Sequence, residues 1–192
     1  MEQFFLATGN QHKIKEVLEI APQIAWLTVN DFSALKNFEP AETGKSFSEN
    51  AEIKAKAFAE KTGLITVAED SGLEVESLNQ KPGIYSARWV MGTDTDRNLA
   101  LLKKLEGETN RAARYVATLC VFNPKTGQTD FFRGEVKGVI AHEIRGSHGF
   151  GYDPVFIPVG YTATFGELDE TIKQRFSHRK EAFKNFLAWL KA

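Results

Sequence analysis

An α/β fold built on a mixed sheet is what this sequence predicts, and three observations predict it. Phe4-Phe5-Leu6-Ala7 is a short apolar run that ends in Thr8-Gly9-Asn10 and gives way to apolar residues at helical spacing. Leu64-Ile65-Thr66-Val67-Ala68 repeats the strand pattern directly after a helical stretch that stops at Gly63. Tyr115 to Phe122 and Phe131 to Ile140 are the longest strand candidates, with turn chemistry between them in Asn123-Pro124-Lys125-Thr126-Gly127. They read as an antiparallel hairpin, so the sheet cannot be purely parallel.

Taken in order, the first helix carries Ile14, Val17, Leu18 and Ala21 up to Pro22. Residues 30 to 48 are irregular and polar, with Pro40 and Gly44 as breakers. A helix from about Glu49 to Thr62 places Asn50, Lys54, Phe58 and Lys61 on one face. The strand at Leu64–Ala68 is expected to deliver Glu69 and Asp70 and to turn at Ser71-Gly72. Pro82 to Trp89 reads as a packed aromatic loop. Thr95 then offers an N-cap for a helix carrying Leu99, Leu101, Leu102 and Leu105, with no obvious chemistry. In the hairpin's second strand, Phe132, Gly134, Val136, Gly138 and Ile140 alternate with charged or exposed positions, the pattern of a half-buried strand. The last helix, from about Ser177, has the apolar stripe Phe183, Phe186, Leu187 and Leu190.

Composition narrows the function classes. A chain of 192 residues suits one compact domain, at most of two lobes. With 25 acidic against 24 basic residues, it lacks the basic excess of a general nucleic-acid or membrane binder. The one cysteine, Cys120, lies in an apolar run, where a buried structural thiol is expected and a reducing compartment fits. Neither a leader nor a membrane span is expected, and the localisation read from this is cytoplasmic.

The chemistry gathers at a few places. Adjacent strand residues face opposite ways, so Glu69 and Asp70 should not share one job. Carboxylates at a strand exit suit a hard cation with a phosphate ligand. Thr8-Gly9-Asn10 before a helix offers backbone N–H groups to phosphate. Lys13 in the first turn of that helix, and His178-Arg179 at the start of the last one, oppose the helix dipole. An anionic ligand would reconcile both. In Gly146-Ser147-His148-Gly149-Phe150-Gly151-Tyr152-Asp153-Pro154, glycines allow close backbone approach, and Phe150 and Tyr152 could sandwich a flat ring. Asp153 could accept hydrogen bonds from ring N–H groups. His148 reads as a solvent-facing loop residue.

These pieces together resemble a known family. Thr8-Gly9-Asn10-x-x-Lys13 and Glu42-Thr43-Gly44-x-x-Phe47-x-Glu49-Asn50-Ala51-x-x-Lys54-Ala55 come first. Asp70-Ser71-Gly72-Leu73, Pro82-Gly83-Ile84-Tyr85-Ser86-Ala87-Arg88, Phe150-Gly151-Tyr152-Asp153-Pro154 and Ser177-His178-Arg179 follow. In this order they resemble the house-cleaning nucleoside triphosphate pyrophosphatases of the Ham1/RdgB/ITPase family. The resemblance implies one domain over 1–192, an elongated two-lobed α/β fold with a long mixed sheet flanked by helices and a central substrate cleft. It implies hydrolysis of ITP, dITP, XTP and dXTP to monophosphate and pyrophosphate, and homodimers.

The same resemblance implies roles. Thr8, Gly9, Asn10, Gln11, His12 and Lys13 would hold the triphosphate with Lys54 and Lys173, and Ser71 would contact substrate. Glu42 and Asp70 would bind Mg²⁺, Asp70 also serving as base for water. Phe150, Gly151, Tyr152 and Asp153 with His178 and Arg179 would form the purine pocket, Arg179 and His178 donating to a 6-oxo group. Glu69 departs from the second Asp of many bacterial relatives, and Ser147-His148 replaces smaller residues. Near Lys173, Leu168-Asp169-Glu170-Thr171-Ile172 has one acidic residue fewer than is usual there. Two other readings share the glycine loops and cations: a non-catalytic purine-nucleotide-binding module, and a related pyrophosphatase for modified pyrimidine or ordinary nucleotides.

Overall fold

A computed structural model describes residues 3–191 and gives a mixed α/β fold. Its strands are β1 (Gln3–Ala7), β2 (Ala25–Thr28), β3 (Ile65–Val75), β4 (Lys81–Pro82), β5 (Ala112–Phe122), β6 (Thr129–Ile140) and β7 (Phe156–Pro158). Its helices are α1 (Gln11–Ile20), α2 (Phe47–Thr62), α3 (Asp94–Lys104), α4 (Glu170–Phe176) and α5 (His178–Trp189). The sheet order is β2-β1-β3-β5-β6-β7, with β4 on β3. β1 pairs in parallel with β2 and β3, whereas β3–β4 and β6–β7 are antiparallel. The β5–β6 hairpin closes where Asn123 N donates to Gln128 O at 3.0 Å, and at its far end Ile140 N donates to Arg111 O at 2.9 Å.

Two compact units divide the chain. One takes the residues through Asp70, Ala117–Gly134 and the residues from Arg179 onward; the other takes Ser71–Val116 and Glu135–His178. In the first unit, β1 and β3 run in register, Phe4 beside Ile65 and Leu6 beside Val67. Alternation then decides what each face meets. Phe4 packs edge-on against Phe186 of α5, with centroids 5.8 Å apart, and Phe5 stacks on Phe58 of α2 at 5.4 Å. Phe5, Phe183 and Phe186 are fully buried. Each such side chain stabilises the unit by roughly 1.5–3 kcal/mol relative to exposure. The second unit has its own core, in which Leu73, Val75, Leu101, Leu105, Tyr115, Phe156 and Phe165 are buried.

Several expectations need correction. The strand at Leu64–Ala68 does not turn at Ser71-Gly72; β3 continues to Val75, because Leu73 and Val75 are buried in the second core. The cap of α3 is Thr93, not Thr95: the Thr93 side chain and Asp96 exchange hydrogen bonds as a capping box. Leu101 and the C-cap Leu105 are buried, whereas Leu99 is 55% exposed. On α1 the buried face is Ile14, Val17 and Ile20, and Leu18 is exposed. A short helix, α4, precedes α5, so Ser177 caps the C-terminus of α4 and α5 begins at His178. The β6 alternation and the α5 stripe are as the pattern predicts: Gly134, Gly138 and Ile140 are buried, as are Phe183 and Phe186.

Candidate active site

Glu69 and Asp70 close the first unit's part of β3, and as neighbours on a strand they leave it in opposite directions. Asp70 shares the face of Phe5 and meets α2. Asn50 Nδ2 donates to Asp70 Oδ2 at 3.2 Å, and Lys54 Nζ donates to Asp70 Oδ1 at 3.2 Å and to Glu42 Oε1 at 2.5 Å. Asn50 and Lys54 sit one helical turn apart, which is why one carboxylate can reach both. The loop carrying Glu42 is tied to the same helix: Gly44 N donates to Asn50 Oδ1 at 2.9 Å. A Cβ on Gly44 would lie 2.7 Å from that oxygen, so only glycine permits the approach.

Glu69 shares the face of Phe4 and meets α1 and α5. Arg179 forks onto it, Nε to Oε2 at 2.5 Å and Nη2 to Oε1 at 2.7 Å. Arg179 also donates to Glu16 of α1. Lys13 Nζ lies 3.2 Å from Glu69 Oε1. Burial works against the Arg179 charge, yet Glu69 and Glu16 outweigh it and hold the guanidinium above its usual range. Burial draws the Lys13 pKa down, and Glu69 offsets only part of that.

This corrects the expectation that two cationic helix starts require an outside anion. One buried carboxylate, Glu69, answers both Lys13 and Arg179. Arg179, expected in the purine pocket, is 1% exposed and pairs with Glu69 and Glu16. The start of α1 is also less bare than expected. Asn10 caps it, its side chain accepting from His12 N at 3.0 Å and Lys13 N at 3.2 Å. Thr8 Oγ1 accepts from Asn10 N, Gln11 Nε2 donates to Gly9 O, and Gly9 to His12 are exposed.

The second unit gathers the aromatic loop, Lys173 and His178. Lys173 is buried, donates to Asp153 Oδ2 at 2.6 Å, and holds its ammonium 4.7 Å from the Phe150 ring centroid. Lys173, expected among the triphosphate ligands, has Asp153 as a carboxylate partner here. Asp153 in turn accepts from Phe150 N at 2.8 Å, so its Oδ2 serves the loop and Lys173. A Cβ on Gly149, whose φ is +74°, would come within 2.0 Å of the same oxygen. The predicted sandwich of Phe150 and Tyr152 is not formed. Tyr152 is buried and donates its hydroxyl to Ser86 O at 3.0 Å, whereas Phe150 is half-buried.

His178 stacks on Tyr115, with centroids 4.8 Å apart and planes 11° from parallel. Burial, and then the Asp153 carboxylate, push the Tyr115 phenol well above its usual range. Tyr115 escaped sequence reasoning because an aromatic residue in an apolar strand reads as core. Ser86 joins the Pro82–Arg88 loop to β3: its Oγ accepts from Leu73 N at 2.9 Å and donates to Gly83 O at 2.7 Å. Ser71, the first residue of this unit, is half-buried. His148 is exposed, its Nδ1 2.9 Å from Leu168 O.

As a cation site, Glu42 and Asp70 offer oxygen donors that already converge on one positive nitrogen, Lys54 Nζ. Among the described residues no cluster of three or more His, Cys, Asp or Glu side chains could hold a metal ion. A pair of carboxylates fits a hard cation that completes its shell with water and substrate phosphate.

The chain matches the model of the Ham1 family over residues 4–189. It is 42% identical over 181 residues to a protein of Deinococcus deserti named dITP/XTP pyrophosphatase, covering 94% of this chain and 85% of that protein. It is 42% identical over 191 residues to a Bdellovibrio bacteriovorus protein of the same name, covering 96% of each. Among solved structures, the Staphylococcus aureus Ham1 protein aligns with a TM-score of 0.89 and 35% identity, covering 99% of this chain and 98% of that one. A Ham1 protein from Coxiella burnetii aligns with a TM-score of 0.90 and 34% identity, covering 100% and 99%.

Proposed function

The chain belongs to the Ham1 family, and we propose that it hydrolyses triphosphates of deaminated purine nucleosides, ITP, dITP, XTP and dXTP, to monophosphate and pyrophosphate. Such an activity removes deaminated purines from the nucleotide pool before they enter DNA or RNA. The observation that carries the reading is the convergence of Glu42 and Asp70 on Lys54 in a chain similar over its length to dITP/XTP pyrophosphatases.

Glu42 and Asp70 are the residues that would hold Mg²⁺, which supplies charge neutralisation at the phosphates and lowers the pKa of bound water. Asp70 accepts the proton of the attacking water. Asn50 and Lys54 fix the orientation of that carboxylate. Lys54 offsets charge that develops on the departing pyrophosphate, as phosphoryl chemistry requires. Thr8 to Lys13 bind the phosphate chain, with Lys13 set in place by Glu69, and Ser71 contacts substrate. Arg179 acts from behind, locking Glu69 against α5.

In the second unit Phe150 stacks on the purine, Gly151 to Asp153 shape the loop, and Lys173 holds Asp153. His178, oriented by Tyr115, donates to the 6-oxo group. An adenine amine there would leave a buried donor unmatched, which can cost a factor of ~10⁴ where a site is built around the hydrogen bond. The whole chain acts as one catalytic domain, as a cytoplasmic homodimer. Light scattering on the eluting protein checks the dimer.

The test is pyrophosphate release from ITP with Mg²⁺. A non-catalytic nucleotide-binding module would bind ITP and release nothing. A pyrophosphatase of modified pyrimidine or ordinary nucleotides would prefer dUTP, GTP or ATP.

A further inference from the structure

Helix α3 grips the loop that carries Phe150, although its sequence shows no obvious chemistry. Asp94, its first residue, accepts the amide hydrogen of Gly151 at Oδ2, 2.7 Å away. Asn98, one turn on, donates Nδ2 to the Gly151 carbonyl at 3.0 Å. Residues four apart share a helix face, so one face takes both backbone polar groups of a single residue, Gly151. Gly151 itself has φ +65°, a left-handed conformation that other residues resist.

The clamp is itself braced. Arg97 Nη2 donates to Asp94 Oδ1 at 2.5 Å, and Arg97 Nη1 donates to Gly92 O at 2.9 Å. The Thr93–Asp96 capping box fixes where the helix begins. Asn98 is 1% exposed, and its own Oδ1 has no hydrogen-bond partner among the described residues. Turning the amide over would set two carbonyl oxygens against each other, so the orientation is dictated by Gly151. Burying an unmatched acceptor is costly, and what the nitrogen holds explains why the residue is there.

We propose that Asp94 and Asn98 are positioning residues for purine recognition, clamping Gly151 and thereby setting the face that Phe150 turns to the base. This rests on the reading that the Phe150–Asp153 loop receives the purine. Neither residue touches substrate; both act through the Gly151 backbone.

The test measures KM and kcat for ITP by pyrophosphate release from the full chain, and inhibition by inorganic tripolyphosphate, which has the phosphate chain without a base. Asn98→Asp puts a carboxylate against the Gly151 carbonyl, and Asp94→Ala removes the acceptor. Each raises KM for ITP about tenfold, with kcat held within about threefold and tripolyphosphate inhibition unchanged. Asp94→Asn still offers Gly151 N an oxygen and recovers most of the Asp94→Ala loss. Leu99→Ala, on the exposed side of the same helix, leaves all three quantities alone. If Asn98→Asp does not fold, the Asp94 pair decides. An unchanged KM in the folded variants, or KM and tripolyphosphate inhibition moving together, overturns the clamp alone. Wild-type protein that releases no pyrophosphate from ITP overturns the functional reading, and the clamp's role with it.

Discussion

Asp70 and Glu69 are adjacent residues with opposite duties. Asp70 is held by Asn50 and Lys54, and in the proposed role of base and metal ligand its charge is what matters, so Asp70→Asn keeps the size while removing the charge. A loss in kcat of about 10²–10⁴-fold is expected, read as pyrophosphate release from ITP with the folded fraction checked by circular dichroism. Glu69 is structural first, because Arg179 is buried on it. Glu69→Ala strands that guanidinium and should cost about 3–5 kcal/mol in urea unfolding. A loss below 1 kcal/mol would show that Glu16 alone satisfies Arg179. Cys120 is a third case: burial pushes its thiol up to about 12, against an unfolded value of about 8.5. Its contribution to stability is therefore full below about pH 8.5 and lost as pH rises toward 12. Native protein should react with a thiol reagent at pH 8 only at the rate of unfolding; immediate labelling would contradict this burial.

Elements were legible where periodicity spoke and illegible where backbone did. The two faces of β3 follow from strand alternation, and the Asn50–Lys54–Phe58 face of α2 from helical spacing. Ser71-Gly72 misled, because turn residues also occur within a strand whose next apolar residues, Leu73 and Val75, have a core to enter. The α3 clamp left no local trace, since Asn98 and Asp94 meet Gly151 from 53 and 57 residues away. Lys173 and Arg179 could be named as site residues, but which carboxylate each would choose depends on packing that no spacing encodes. Gly44 belongs to this scale as well. A Cβ there meets Asn50 Oδ1 and Glu49 Cβ, each at 2.7 Å, so Gly44→Ala should pry the Glu42 loop from α2. The expected result is at least a tenfold weaker apparent Mg²⁺ affinity in the ITP assay, with the melting temperature nearly unchanged. An unaltered Mg²⁺ titration would detach Glu42 from the metal site.

At the scale of the whole molecule, the proposed division of labour follows the two units. Phosphate and metal chemistry is assigned to the unit that contains Lys13, Glu42, Lys54 and Asp70; base recognition is assigned to the one that contains Tyr115, Phe150, Asp153, Lys173 and His178. The near-balanced charge of the chain, −1 at pH 7, fits a small anionic substrate better than a nucleic-acid polyanion. Among the described residues no helix is long and apolar enough to cross a membrane. The most direct measurement is a panel of ITP, XTP, dUTP, GTP and ATP with Mg²⁺, with pyrophosphate distinguished from orthophosphate, repeated after chelation by EDTA. Pyrophosphate from ITP and XTP at kcat/KM at least about 10²-fold above GTP and ATP, abolished by EDTA, is the predicted outcome. Release of orthophosphate, or equal rates across the panel, would contradict it.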